Sequence, residues 1–402
     1  MTNSFRKKIA HYSKDISESR LDVLDGLRVL FIALIAWFHI WQQSWLSPYL
    51  QIGQHIISFD FLPRAGYLLV DGMLLLSGLL LYYPVAQGHE FKTAAFYKKR
   101  LIRILPSYLL CLILMLLFVA LPQGSYGTSA DLWKDIVSHL TFTFNFSYAT
   151  YISTPLNGAL WTVAVEMQFY LLFPLLAKAF RRKPIVTFCT MCAAAFIYRA
   201  WVGTLDDTTL YVNQFPAFLD IFALGFAGAE LIVCLQKRMK SENKKEKLFF
   251  SALAALALVL LVQLMQDQAG CNGYPAIRQG QMDRRFSLGC ILTLLMVSLC
   301  FSLPAFRFAF GNRGMGFLAS ISFQFYIYHQ VLAVQLKKYG IPFCETSEPW
   351  YTGDLTWQIK YTALCFGGAL ILAILVTFLF EKPVARLLSG IGKQKKTSAD
   401  NG

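Results

Sequence analysis

The feature that most constrains this chain is a succession of ten apolar runs, each about 20 residues long and separated by short polar or basic breaks. At about 1.5 Å rise per residue, one such run crosses a hydrocarbon core about 30 Å thick as a single helix. The runs fall at 27–45, 66–83, 104–121, 158–178, 185–202, 215–235, 248–266, 286–303, 315–336 and 361–380. Backbone polar groups inside lipid must be satisfied within the segment itself, so the expected fold is all-α, a polytopic bundle of transmembrane helices. Composition agrees: 56% of the 402 residues are apolar and only 15% are charged, against about 45–50% and 25% in soluble domains.

The net charge of +14 does not mark a nucleic-acid partner, because the basic residues sit in the breaks between spans. Of the 37 Lys and Arg, 28 lie in the N-terminal tail, the C-terminal tail and the breaks after spans 2, 4, 6 and 8, with their adjoining span ends. Positive charge accumulates in cytoplasmic loops, so both termini are expected inside. This gives a cytoplasmic tail over 1–26, a membrane domain over 27–383 and a second cytoplasmic tail over 384–402, with no appended soluble domain. Arg6, Lys7, Lys8, Lys14 and Arg20 precede the first run as in a signal peptide. That run lacks a small-residue cleavage site and carries His39, so it is expected to be retained.

The longest external break, near 122–157, contains Asp131 to Val137, a candidate interfacial helix. Seven of the nine cysteines fall within apolar runs, where they act as small hydrophobes. Cys189 and Cys192 form a C-x-x-C without metal partners, and no metal site is expected. Cys271 and Cys344 fall in loops placed outside, where pairing is open.

Charged groups at bilayer depth are costly, at least about 2.5–3.5 kcal/mol on insertion scales, and so mark pathways or sites. Arg28 and His39 lie eleven residues apart in span 1, close to three turns, so they share one face. With Asn157 at the outer membrane surface, Glu166 falls about 12 Å below it, at nearly the depth of His39. Ser77 and His329 fall near the same layer. Packing roles are the alternative for each, most evenly balanced for His329. Asp71 is a further intramembrane acid, Asp220 is left open between a structural pair and a proton path, and Glu230 is expected at the interface. Arg100 and Arg103 stand near the start of span 3, suited either to snorkelling or to clamping phosphate.

The motifs that carry these residues resemble the membrane acyltransferase-3 family. Leu24 to His39 (LDGLR through WFH), Val70 to Leu81 (VDGMLLLSGLLL) and Phe96 to Tyr108 (FYKKRLIRILPSY) follow its opening patterns in order. Leu160 to Leu176 (LWTVAVEMQFYLLFPLL), Phe323 to Val331 (FQFYIYHQV) and Glu381 to Leu387 (EKPVARL) complete the set. The second-span pattern departs from the usual Phe-Phe…Ser-Gly-Phe: Met73, Leu74 and Leu79 stand at the aromatic positions.

The resemblance implies transfer of an acyl group, commonly acetyl, from cytosolic acyl-CoA to a hydroxyl of an extracytoplasmic glycan or lipid-linked sugar. It associates His39, Arg28, Arg100 and Arg103 with activity. With the depth argument, His39 is the expected general base and Glu166 its orienting carboxylate, as in a triad. Arg100, Arg103, Ser77 and Gly78 are the expected donor-binding residues, and Ser77 or Tyr328 the oxyanion donor. Trp161, Asp71 and His329 complete the candidates. A direct transfer is the simpler course, and an acyl-enzyme the alternative. The expected location is the bacterial cytoplasmic membrane, with the bilayer, acyl-CoA and the acceptor as partners, no nucleic acid, and an oligomeric state the sequence does not set. The rival class is a transporter or flippase for a glycan precursor, which would place paired broken helices in the two halves.

Overall fold

The computed structural model describes residues 21–239 and 243–388. It is 79% helical, with ten helices long and apolar enough to span a membrane. In chain order these are α1 (Val23–Ser44), α2 (Phe61–Ala86), α3 (Thr93–Ala120), α5 (Gly158–Arg182), α6 (Pro184–Val202) and α7 (Phe215–Arg238). They continue as α8 (Lys244–Ala269), α9 (Tyr274–Phe301), α10 (Pro304–Lys338) and α11 (Leu355–Leu388). Between α3 and α5 lies α4 (Ser129–Leu140).

Every expected run corresponds to one of these helices. Several begin earlier than hydropathy alone indicates. α3 starts at Thr93 rather than 104, and α9 at Tyr274 rather than 286. In both, basic residues that interrupt the apolar run continue the helix, because Lys and Arg are good helix formers. A side-chain cap fixes the start of α11, where Asp354 Oδ1 accepts from Trp357 N–H at 3.0 Å, and another restarts α10 after its break at Gly311, where Asn312 Oδ1 accepts from Met315 N–H at 3.0 Å.

α2, α7 and α9 are the most enclosed helices, and α6, α8 and α11 turn most of their surface outward. α2 and α7 approach closely through glycines. A Cβ on Gly225 would lie 2.6 Å from the Leu75 carbonyl oxygen and 2.8 Å from the Leu79 nitrogen, both backbone atoms. One on Gly78 would lie 3.1 Å from the Phe222 carbonyl oxygen. Gly78, expected at the donor site, therefore serves this helix contact: small residues let backbones meet in membranes.

Two buried ion pairs hold the same core. Arg285, fully buried, donates through Nε to Asp71 Oδ2 at 3.2 Å and through Nη1 to the Val212 carbonyl at 3.0 Å, over the Phe218 ring. Arg199 grips Asp220 with two bonds, at 3.0 and 2.6 Å. Asp71 is thus committed to a structural pair between α2 and α9, and Asp220 to one between α7 and α6. Breaking a buried pair leaves an uncompensated charge, at a cost of about 3–5 kcal/mol.

The segment expected as a candidate interfacial helix is helical, as α4. Trp133, Val137 and Leu140 form an exposed apolar stripe, while Asp135 and His139 point inward and are buried. Asp135 Oδ2 accepts from Tyr126 and Thr154 hydroxyls, both at 2.8 Å. Unanticipated was a two-stranded hairpin after α1, β1 (Tyr49–Ile52) paired antiparallel with β2 (His55–Ser58) and turning at Gly53, φ 62°. The nine cysteines are free thiols, Cys271 and Cys344 included.

Candidate active site

The helices bring their polar residues to a cavity of about 170 Å³ near one end of the bundle. On α1, Arg28, Ile32 and Ile35 recur at helical spacing along its wall. α2 supplies Ser77, α3 supplies Arg100 and Arg103, and α5 supplies Thr162, Glu166 and Tyr170. Ser322 and Tyr326 close it from α10. Three guanidiniums therefore face one carboxylate.

Glu166 is held from two sides. Its Oε1 accepts from the Ser77 hydroxyl at 2.6 Å and from the Tyr170 hydroxyl one turn further along α5. Tyr170 also lies beneath Arg100, whose guanidinium stands 5.7 Å from its ring centre and 5.8 Å from that of Phe96. Arg100 Nε is buried with no hydrogen-bond partner. Arg28 Nη1 donates to Asp25 Oδ1 at 3.2 Å. A wider groove of about 530 Å³ adjoins the cavity, sharing Leu80, Leu81 and Arg100 with it. Its rim adds Lys92, Lys98, Lys99 and His89.

His39 lies outside this cavity. It is the next residue on the Arg28–Ile32–Ile35 stripe of α1, and His329 is the next on the Ser322–Tyr326 stripe of α10. The two rings meet just beyond the roof formed by Ile35, Thr162 and Tyr326, with centres 5.2 Å apart and planes inclined by 44°. Tyr326 packs between cavity and histidines: its ring centre is 5.5 Å from that of His329, and its hydroxyl is tied to Thr162 Oγ1 and the Ala159 carbonyl.

The expected pairing of His39 with Glu166 is therefore corrected. His39 Nδ1 pairs with Gln42 Oε1 at 3.3 Å, one turn along its own helix, while Glu166 is engaged by Ser77 and Tyr170. The depth estimate used Asn157 as its outer marker, and Asn157 is packed inside the bundle beside α10. It is buried, and its Nδ2 donates to the Ile327 carbonyl at 2.9 Å, two residues from His329. Asn157 thus stands at the level of the histidines, and Glu166, nine residues on, falls about 13 Å lower, among the arginines.

Of the other candidates, Trp161 stacks on Phe218 at 6.0 Å, away from the cavity lining. Tyr328 is buried with its hydroxyl unpartnered, and it does not line the cavity either. Ser77 donates to Glu166, which leaves its hydrogen engaged. Thr162, Tyr170, Ser322 and Tyr326 line the site without having been singled out from sequence. Tyr170 was legible one turn from Glu166, and Tyr326 one turn from His329. Among the described residues, no group of three or more His, Cys, Asp and Glu side chains is arranged to hold a metal ion.

Comparison with known proteins bears on this arrangement directly. The family described as Acyltransferase domain matches residues 21–381, all but the two ends. The chain belongs to the acyltransferase-3 family. Within that family it is similar to O-acetyltransferase OatA of Staphylococcus aureus (strain NCTC 8325 / PS 47), 28% identical over 179 residues. That match covers 42% of this chain and 26% of the relative. The putative membrane-bound transacylase BcsY of Komagataeibacter xylinus is 26% identical over 212 residues, 50% of this chain and 49% of its own. Acyltransferase MdmB of Streptomyces mycarofaciens is 26% identical over 204 residues, covering 49% and 48%. The chain spans about a quarter to a half of the length of these curated relatives. No solved structure matches it significantly. The family is one of membrane acyltransferases, and the polar cavity is this chain's candidate place for such chemistry.

Proposed function

We propose that the protein moves an acyl group, acetyl first among candidates, from cytosolic acyl-CoA to a hydroxyl of an extracytoplasmic glycan or lipid-linked sugar. The observation that carries this reading is the stacking of two unlike sites on the same helix stripes. A cavity with three arginines lies directly beneath a histidine pair, separated from it by a single layer of side chains. A reaction that joins an anionic donor from one side to a neutral hydroxyl from the other needs this order. On this reading the basic breaks mark the cytoplasmic side, with the cavity end and both termini in the cytoplasm and the bundle in a bacterial cell membrane.

Acyl-CoA carries its charge on phosphates. Lys92, Lys98 and Lys99 at the groove rim, followed inward by Arg100 and Arg103, form a graded basic path for them. The thioester arm would extend along the apolar wall of Ile32, Ile35 and Leu74, and the side chains of Ile35, Thr162 and Tyr326 would have to part for its acyl carbon to reach His39. His39, a neutral imidazole with Nδ1 turned to Gln42, offers Nε2 to the acceptor hydroxyl. It takes the hydroxyl proton as the oxygen attacks the thioester carbon, and returns it to the departing thiolate as the carbon–sulfur bond breaks. Modification of a cell-surface polysaccharide is the corresponding role; OatA, by its name, is an O-acetyltransferase.

Donor binding by the arginines tests this reading. Arg100→Ala and Arg103→Ala should each raise the KM for acetyl-CoA about tenfold or more, since a charge-assisted hydrogen bond contributes about 1.5–3 kcal/mol. Thermal stability in detergent should stay near that of the unsubstituted protein. Unchanged donor dependence in both variants would assign the arginines to membrane-surface anchoring.

A further inference from the structure

The Nε2 atom of His329 is fully buried and has no hydrogen-bond partner. Its other ring nitrogen, Nδ1, lies 2.6 Å from the Tyr326 carbonyl oxygen. A carbonyl oxygen only accepts, so Nδ1 bears the ring hydrogen and Nε2 is left with a bare lone pair. Beside it is His39, whose Nδ1 pairs with the Gln42 side-chain Oε1 and whose Nε2 is likewise an acceptor. The ring centres are 5.2 Å apart, a spacing that accommodates one N–H···N hydrogen bond of about 3 Å between ring edges. A lone pair sealed from water without a donor is unfavourable unless some state of the protein supplies one.

We propose that His329 is a positioning residue for the transfer reaction, its Nε2 accepting a hydrogen bond from the imidazolium that His39 becomes during turnover. The inference rests on His39 being the general base. When the acceptor hydroxyl gives its proton to His39 Nε2, its oxygen moves onto the thioester carbon and no longer receives the new N–H. The thiolate becomes available only after the carbon–sulfur bond breaks. In that interval His329 Nε2 is the acceptor at hand on the Nε2 side of the ring, while the place a triad's carboxylate would take, at Nδ1, is held by Gln42 Oε1. The proton remains on His39 and passes from there to sulfur, so His329 neither gains nor loses one over the cycle.

The geometry explains why the partner is a histidine held this way. The carboxylate candidate Glu166 is engaged by Ser77 and Tyr170 in the cavity below the roof. The Tyr326 carbonyl fixes the His329 tautomer, and the Phe325 and Tyr326 rings pack against its imidazole at 6.2 and 5.5 Å.

The test is CoA release from acetyl-CoA, with water as acceptor, by the full-length protein in lipid nanodiscs. CoA is separated chromatographically so that kcat and KM are obtained independently. His329→Leu fills similar volume without a lone pair and should lower kcat about 100-fold, on the scale of general-base contributions, with KM within about twofold. His329→Gln retains an acceptor oxygen and an N–H for the Tyr326 carbonyl, and should recover at least about tenfold of that loss. Leu outperforming Gln, or a loss confined to KM, would overturn the inference and make His329 a packing residue. Should Leu fail to insert, Gln against Met decides in the same way. His39→Ala, run alongside, separates the two readings. Retained turnover there sinks the general base itself, whereas an inactive His39→Ala with a fully active His329→Leu sinks only the role of His329.

Discussion

Removing the charge of Glu166 by a change to Gln keeps an acceptor oxygen for Ser77 and Tyr170 but leaves Arg28, Arg100 and Arg103 without their counter-charge in the cavity. Glu166→Gln should therefore tighten acetyl-CoA binding, by about three- to tenfold for one charge removed at partly solvated distances. His39→Ala should leave that affinity unchanged, and the double variant should bind as Glu166→Gln alone, because the two residues share no partner. Isothermal titration with acetyl-CoA checks this without needing turnover. Coupling between the substitutions beyond about tenfold would restore the direct pairing that their sequence positions suggested. Arg28 and His39 on one stripe were legible from an eleven-residue spacing alone. Arg285 opposite Asp71 was not, because a pair 214 residues apart has no local signature. Glu166 was misplaced in depth because nothing in the sequence shows that Asn157 is drawn into the protein.

At the scale of elements, the α2–α7 contact carries the site, since Ser77 projects into the cavity from one side of α2 while Gly78 meets α7 from another. Gly225→Val places branched carbon against two backbone atoms of α2 that have no rotamer to move. The helices must separate, and the variant should lose several kcal/mol, as for overpacking at its severe end. Gly367→Val, where nothing lies within 4 Å of an added Cβ, is the matching control and should melt within a few degrees of the parent. Equal melting of both would mean that the close approach of α2 and α7 contributes little. The ten helices were legible because length and apolarity suffice to define a span. Their ends were not, because charged residues prolong α3 and α9 without interrupting the backbone ladder. The hairpin left only Gly53 as its signal, in strands whose side chains are all exposed and so lack the one-sided burial that gives alternation.

The whole molecule has a polar gradient along the bundle, from the lysine rim through the arginine cavity to the histidine pair. The family was legible in the sequence through motifs in register, and the bias of Lys and Arg toward alternate breaks supplies the proposed direction of that gradient. The separation of the arginine cavity from the histidines by Ile35, Thr162 and Tyr326 required the packed structure. Under the proposed function that order makes the reaction sided, and sidedness is directly measurable. In sealed membrane vesicles of defined orientation, acetyl-labelled acetyl-CoA is supplied to one face and label is followed into glycan and lipid extracts. Label should enter the extracytoplasmic fraction only when the donor reaches the cytoplasmic face, and His39→Ala, inserted at normal levels, should transfer none. Transfer by His39→Ala at the rate of the unsubstituted protein, or transfer from donor supplied only at the opposite face, would contradict a cytosolic donor cavity serving His39.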